Sequence, residues 1–328
     1  NPPTQSPMPA PPVIILHENE EWLPPLRRAL SDFGIPFEEW FATEGSFDVL
    51  DTPPEGVYFN RMSASAHTRG HGDSVAHTRQ LLAWLKRHGR RVVNGLNAFE
   101  LEMSKVRQVQ ALQDAEVRVP ETRAVAGGPD ALLNAARDVP TPFVAKPNRG
   151  GKGHGVERFD SYDAFERHVR SDAFSPSPDH ITLLQPYVRP SDQTITRCEF
   201  VGGRLVYAVR VDASEGFDLC PAAPCRSDAA PDTAAPNTAT EANGASRFSL
   251  RSDVPEALVT RYMQFLAVER IDVAGIEFIE DDDGRRWTYD VNATTNYNPA
   301  IEAAADRSAW SAVASYLQHE REALASVA

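Results

Sequence analysis

Two short stretches of this 328-residue chain hold residue types at spacings that could do chemistry. The first is Lys146-Pro147-Asn148-Arg149-Gly150-Gly151-Lys152-Gly153-His154-Gly155-Val156. Gly150, Gly151, Gly153 and Gly155 let backbone N–H groups approach an anion closely and point at phosphate-like oxygens. A strand is expected before this loop (143–146) and another after it (156–159), so it reads as a hairpin. No helix opens directly behind it, which disfavours a Rossmann turn, and no Lys-Ser/Thr ends it, which disfavours a Walker A loop. A glycine-rich hairpin lying over phosphates fits better; a flexible hairpin with no ligand is the plainer alternative.

The second stretch is Trp287-Thr288-Tyr289-Asp290-Val291-Asn292. On a strand, Asp290 and Asn292 share one face with Thr288, while Tyr289 and Val291 point to the other. The expected partner strand, Gly275-Ile276-Glu277-Phe278-Ile279, sets Glu277 between apolar neighbours, where a carboxylate is costly unless paired or metal-bound. Two carboxylates and an amide oxygen converging across a hairpin suit Mg2+, with Mn2+ an acceptable substitute, because such ions take hard oxygens and complete their shell with phosphates. A sheet with polar residues on a solvated side would look the same. The turn Asp281-Asp282-Asp283 lacks the EF-hand spacing and reads as a solvated loop.

The elements needed to position these groups are legible as periodicity. Strands at 13–17, 57–60 and 91–94 alternate with helical segments, the first carrying Leu23, Leu26, Leu30 and Phe33 and stopped by Gly34. That alternation predicts a small parallel α/β domain over 13–103. From Lys105 the pattern changes: a helix over 106–115, a strand near 122–125, a helix near 131–137, the strand before the glycine loop, and a helix that Ser161 could cap. Strands at 181–184, 195–201 and 205–211 follow, the last two forming a hairpin around Gly202-Gly203. A helix with Leu258, Tyr262, Phe265 and Leu266 on one face precedes the final hairpin. Residues 222–245, rich in Ala, Pro, Thr, Asn and Asp, read as a flexible insertion, and 1–12, with six prolines, as a disordered lead-in.

Bulk properties narrow the partners. Hydrophobic content of 41% and charged content of 24% are those of a soluble globular chain. A formal net charge of −13 disfavours nucleic acid or an anionic membrane as partner. No apolar run approaches the ~18–20 residues of a membrane span. Three cysteines (Cys198, Cys220, Cys225) give no disulfide framework, which points to the reducing cytosol. A homo-oligomer is compatible with all of this.

Together and in this order, the two stretches resemble the ATP-grasp superfamily, and within it the RimK-like and glutathione-synthetase-like carboxylate–amine ligases. The resemblance runs from about Leu101 to Glu302. Ser104-Lys105 and Val119-Pro120-Glu121-Thr122 resemble the first ATP lysine and the strand after it. Lys146-Pro147 with 150–156 resembles the second lysine and the phosphate-covering loop. Leu184-Gln185-Pro186-Tyr187-Val188 resembles the hinge beside adenine, with Gln185 where the family usually has Glu. Arg197 and Arg210 resemble the arginines on paired strands that face phosphates and acyl group; Ile195 stands where an acidic residue often precedes the first. Glu277, Asp290 and Asn292 match the metal triad, and Asn296-Tyr297-Asn298-Pro299 replaces a more usual Gly-containing segment.

What the resemblance implies is an ATP-grasp fold: a small parallel α/β domain, then two α+β subdomains (104–188 and 189–328) that sandwich ATP. ATP and Mg2+ would be the cofactors. Lys105, Lys146, the loop glycines, Gln185, Tyr187 and Val188 would hold the nucleotide. The activity would be attack of a substrate carboxylate on the γ-phosphate, giving an acylphosphate that an amine then captures. Arg210 would hold the developing phosphate and Arg197 or Arg61 the carboxylate, with Asn296 and Asn298 also near the substrate. Amino acids or short peptides are the implied substrates. A phosphotransferase or a nucleotide-binding scaffold on the same frame are the alternatives. His67, His71, Asp73 and His77 form a loop cluster without the context of a zinc site, and Cys220 and Cys225 read as two free thiols.

Overall fold

Every residue of β1 (Val13–His17) is buried, as expected for a strand flanked on both faces. It pairs in parallel with β2 (Phe37–Phe41) and β3 (Val57–Asn60), and β3 pairs in parallel with β4 (Arg91–Val93), giving the order β2-β1-β3-β4. The computed structural model describes residues 10–151, 153–214 and 247–327. The expected insertion at 222–245, Cys220, Cys225, Lys152 and most of the lead-in therefore lie outside the described residues. β2 carries no readable signal in the sequence because it is an edge strand with Glu38 and Glu39 at its centre and no fully buried residue. Helices α1 (Pro24–Asp32), α2 (Ser74–Arg87) and α3 (Leu96–Glu102) complete this unit. Gly34 ends α1 with φ +64, a left-handed conformation that favours glycine.

The chain then enters α4 (Lys105–Asp114) and an antiparallel sheet ordered β5-β8-β6-β7. Its strands are β5 (Arg123–Ala126), β6 (Phe143–Pro147), β7 (Glu157–Phe159) and β8 (Ile181–Pro186). Helices α5 (Pro129–Ala136) and α6 (Tyr162–Val169) cover one face; Ser161 caps α6 through the Ala164 amide. Leu132, Phe143, Phe165 and Leu184 form the core between them.

The third sheet, also antiparallel, runs β11-β10-β9-β12-β13. It comprises β9 (Thr194–Val201), β10 (Arg204–Asp212), β11 (Phe248–Arg251), β12 (Val273–Glu280) and β13 (Arg286–Asn292). Helix α7 (Glu256–Glu269) packs Tyr262, Phe265 and Leu266 against Cys198, Phe200, Ile276 and Val291. Helices α8 (Pro299–Ala304) and α9 (Ala309–Val327) follow, and α9 returns to the first sheet, where Trp310, Val313 and Leu317 share a core with Val13, Ile15 and Leu30. No helix among the described residues is long and apolar enough to cross a membrane.

Two one-residue bulges decide which side chains meet. In β10 the register slips between Leu205 and Tyr207; in β13 it slips between Asp290 and Thr288. A slip of one residue sends every later side chain to the opposite face. Thr288, expected beside Asp290, is thereby turned to α7, where its hydroxyl meets Tyr262 OH at 2.6 Å. Tyr289, expected on the opposite face, instead joins Asp290 on the cavity side.

Asn94 ties the first sheet to the third. It is buried, with φ +54, and its Oδ1 accepts from the Asp272 and Val273 amides at 3.0 and 3.1 Å. Its Nδ2 donates to Val273 O at 2.8 Å and Ala293 O at 2.6 Å. Asn tolerates this left-handed backbone where Ala does not, and truncation strands buried amides and carbonyls. Asn94→Ala is expected to cost roughly 3 kcal/mol or more by urea unfolding; a loss under about 1 kcal/mol would show that the junction does not depend on this side chain.

Candidate active site

Between the second and third sheets lies a cavity of about 380 Å3, closed at one end by segments of the first unit. Its size is within the usual range for small-molecule sites. Lys105, the first residue of α4, reaches it because Ser104 caps that helix and the Lys105 amide donates to Asn148 O at 3.1 Å. Lys146 reaches it from β6, where its Nζ donates to Tyr289 O at 3.3 Å and sits 5.9 Å over the Tyr289 ring. From the third sheet come Glu277 and Asp290, which are register partners, and Asn292.

The charges are tightly interlocked. Lys105 Nζ pairs with Asp290, whose other oxygen accepts from Asn292 Nδ2 at 3.2 Å. Glu277 accepts from Arg197 Nη1 at 2.6 Å and from Tyr289 OH at 2.8 Å. Arg197 also donates to Glu199 at 2.6 Å and to Thr295 Oγ1 at 2.7 Å. Burial alone would raise Asp290, but Lys105 and Lys146 outweigh it and hold its carboxyl below the usual range. Burial opposes the Lys105 ammonium, yet Asp290 beside it pushes its pKa up. Lys146 has no such partner: burial first, then the Lys105 charge, pushes it down to about 7. Glu277 is raised by burial despite Arg197. Glu102 also lines the cavity, and burial and the Asp290 charge push it up to about 7.

The glycine loop lies over one end of the cavity. Gly150, Gly151 and Gly153 line it, whereas Gly155 sits behind them, with φ +70 and packed on Pro147. A Cβ on Gly151 would stand 3.4 Å from Ser65 of the first unit, so the loop tip touches the opposite wall. At the other end, Gln185, Tyr187 and Val188 line the cavity. Thr122 Oγ1 donates to Pro120 O at 2.8 Å, so it must accept from Gln185 Nε2 at 2.6 Å. That fixes the Gln185 amide with its oxygen away from Thr122. Arg158 stacks 4.3 Å over Tyr187.

Not every expected residue arrives. Arg210 does not line this cavity: the β10 bulge pairs it with Thr196, on the opposite face from Arg197, and its Nε lies 4.0 Å from Asp192. Arg61 is buried behind the wall, donating to Thr295 O and Asn296 Oδ1 at 2.7 Å each, and only Asn296 borders the cavity. Asn298 caps α8 through the Ala300 and Ile301 amides and also borders a small neighbouring pocket beside Tyr207. His71 bonds Glu18 at 2.9 Å, His67 bonds Ala64 O at 3.3 Å, and His77 lies on α2. Among the described residues no three His, Cys, Asp or Glu side chains are arranged to hold a metal ion. Sequence reasoning missed Trp22, Ser63, Ser65, Glu102 and Thr294 as lining residues. Isolated serines and a helix-borne Glu carry no spacing signal.

The donor set of Glu277, Asp290 and Asn292 suits a hard divalent cation that draws its remaining oxygens from a bound phosphate, since two carboxylates and one amide do not fill six positions. It does not suit a self-sufficient protein cage.

Solved structures with the same architecture identify the fold. The chain matches a RimK-domain ATP-grasp protein from Sphaerobacter thermophilus at 17% identity, covering 93% of this chain and 99% of that one, with TM-score 0.62. It matches the D-cycloserine synthetase DcsG at 19% identity, covering 95% and 99%, with TM-score 0.63. It matches the macrocyclase MdnC from Microcystis aeruginosa, solved with its precursor peptide MdnA, at 12% identity, covering 94% and 99%, with TM-score 0.59. The fold is that of the ATP-grasp proteins, in the form that the RimK-domain protein shares. No family model matches the sequence, and a comparison with curated proteins finds no match either.

Proposed function

We propose that this chain is an ATP-dependent ligase that joins a carboxylate to an amine through an acylphosphate, releasing ADP and phosphate. The observation that carries the reading is convergence: Lys105, Lys146, the glycine loop and the Glu277–Asp290–Asn292 set face one cavity whose far end is the Gln185–Val188 hinge. Two buried lysines and a row of backbone N–H groups can locally outweigh the net charge of −13, because remote carboxylates are screened within ~8–10 Å. Mg2+ or Mn2+ held by Glu277, Asp290 and Asn292 would supply charge neutralisation to the phosphates.

The remaining work is positioning. Lys146 and the loop amides hold the phosphates, and Arg197 orients Glu277 from behind. The loop, by touching Ser65, excludes water that would hydrolyse an acylphosphate. No nucleophilic side chain is needed, and Cys198, the cysteine among the described residues, is buried with its thiol pushed up to about 12 by burial. The solved relatives include a D-cycloserine synthetase and a macrocyclase bound to a precursor peptide. They support amino acids or peptides as the substrate class.

The test is phosphate release from Mg-ATP across pairs of amino acids and short peptides. Release that requires both a carboxylate and an amine is the expected result. A stable phosphorylated product formed without an amine would replace the ligase with a phosphotransferase, and no release with any pair would leave only nucleotide binding.

A further inference from the structure

Asn296 is a cavity-lining side chain only 9% exposed, and its amide can face only one way. Arg61 Nη2 lies 2.7 Å from its Oδ1. A guanidinium has donors and no acceptor, so the amide oxygen must face Arg61 and the NH2 group must face away. Among the described residues Nδ2 makes no hydrogen bond, and Asn296 lines the cavity.

Arg61 cannot easily turn. Its Nη1 donates to Thr295 O at 2.7 Å, and its guanidinium lies 5.6 Å from the Phe59 ring centre and 5.5 Å from that of Trp310. No acidic side chain pairs with it among the described residues. A buried cation without a carboxylate partner thus polarises the Asn296 amide and strengthens its N–H groups as donors.

The wall around Asn296 is built as one piece. Thr294 Oγ1 donates to Met62 O at 2.8 Å, stitching this segment to the one that presents Ser63 and Ser65 to the cavity. Thr295 Oγ1 accepts from Arg197, the same guanidinium that holds Glu277, so the wall adjoins the phosphate end. A group bound at Asn296 would stand beside the γ-phosphate and away from the adenine hinge.

We infer that Asn296 grips the carboxylate that is to be activated, with Arg61 as its positioning residue; this rests on the ligase reading. One carboxylate oxygen accepts from Asn296 Nδ2. The other attacks the γ-phosphorus, forming the acyl P–O bond as the bond to the departing ADP oxygen breaks and its electron pair leaves with ADP. The anchor selects a substrate bearing a free carboxylate over one bearing an ammonium or an ester at that place.

The test uses the full 15N-labelled chain saturated with Mg2+ and AMP-PNP, titrated with acetate and separately with methylammonium. The Asn296 NH2 pair, assigned by its loss in Asn296→Asp, is expected to shift with acetate and not with methylammonium. Asn296→Asp keeps an acceptor for Arg61 and so should fold, but it offers the acetate no donor. It should weaken acetate binding, followed on the Ser63 and Thr294 amides, by at least about tenfold while leaving AMP-PNP affinity within about threefold. Arg61→Lys should weaken acetate binding too, because a single-point donor no longer fixes the amide. An unmoved Asn296 pair in a chain that binds AMP-PNP overturns the inference, as does an Asn296→Asp variant that loses AMP-PNP as severely as acetate. Failure of the wild type to bind AMP-PNP would instead bring down the ligase reading itself.

Discussion

Neutralising Glu277 and Asp290 together, as Glu277→Gln and Asp290→Asn, is expected to lower ATP-dependent turnover by roughly 1,000-fold or more. The two carboxylates are register partners across β12 and β13, and with the Asn292 amide they are hard oxygens lining the cavity, where the proposed function puts the phosphates. Both substitutions are nearly isosteric: each replacement amide keeps one oxygen, for Arg197 at position 277 and for Lys105 at position 290, and turns its NH2 group to Tyr289 OH, which can accept, or to Asn292, whose own amide can flip to present its oxygen. Arg197 retains Glu199 at 2.6 Å, and Lys105 retains an acceptor at position 290. The fold should therefore survive, with a circular dichroism spectrum like the wild type. Lys105 would nonetheless be a buried ammonium without its counterion, so some loss of thermal stability is expected. The measurement is phosphate release at saturating Mg2+ with the best substrate pair. Near-wild-type rates in the double variant would show that these carboxylates do not serve the reaction.

The sequence disclosed the parts of this site whose chemistry is compositional. Four glycines in the 150–155 loop cannot be disguised, and Glu277 between Ile276 and Phe278 announces a carboxylate that needs a partner. What stayed hidden depends on single-residue offsets. Without the bulge near Val206, Arg210 would have stood opposite Ile195, on the cavity side; with it, Arg210 pairs with Thr196 and turns away. The bulge at Tyr289 does the reverse, bringing a phenol onto Glu277 and sending Thr288 into the core. Strand alternation is read modulo two, so one unseen bulge inverts the answer for every residue beyond it. The wall formed by Ser63, Ser65, Thr294 and Asn296 was illegible for another reason. It joins segments more than 200 residues apart, linked by Thr294 to Met62 and by Arg61 to Asn296, and no local pattern encodes such a pairing.

ATP affinity is expected to fall as pH rises from 7 to 9, by up to about tenfold per unit, on account of Lys146. This lysine is buried and has a carbonyl and an aromatic ring for company, and burial together with the Lys105 charge lowers its pKa to about 7. Above that pH the nucleotide-free chain carries it mostly neutral. Phosphate oxygens arriving at the cavity favour the ammonium form, so the pKa rises on binding and a proton is taken up. Well below pH 7 the ammonium is already present and affinity changes little through this group, while above pH 7 each binding event must first protonate it. Calorimetry at pH 8 in buffers of different ionisation enthalpy should register uptake approaching one proton, and Kd should climb steadily to pH 9. Lys146→Arg, charged throughout this range, should flatten the profile, and Lys146→Met should weaken binding at pH 7 and flatten it as well. The same lysine therefore separates two accounts of the site. A Kd independent of pH between 7 and 9 in the wild type, with no proton taken up, would mean either that Lys146 is already an ammonium in the nucleotide-free chain or that it does not meet the phosphates, and Lys146→Met, which weakens binding only if this lysine meets the phosphates, tells the two apart.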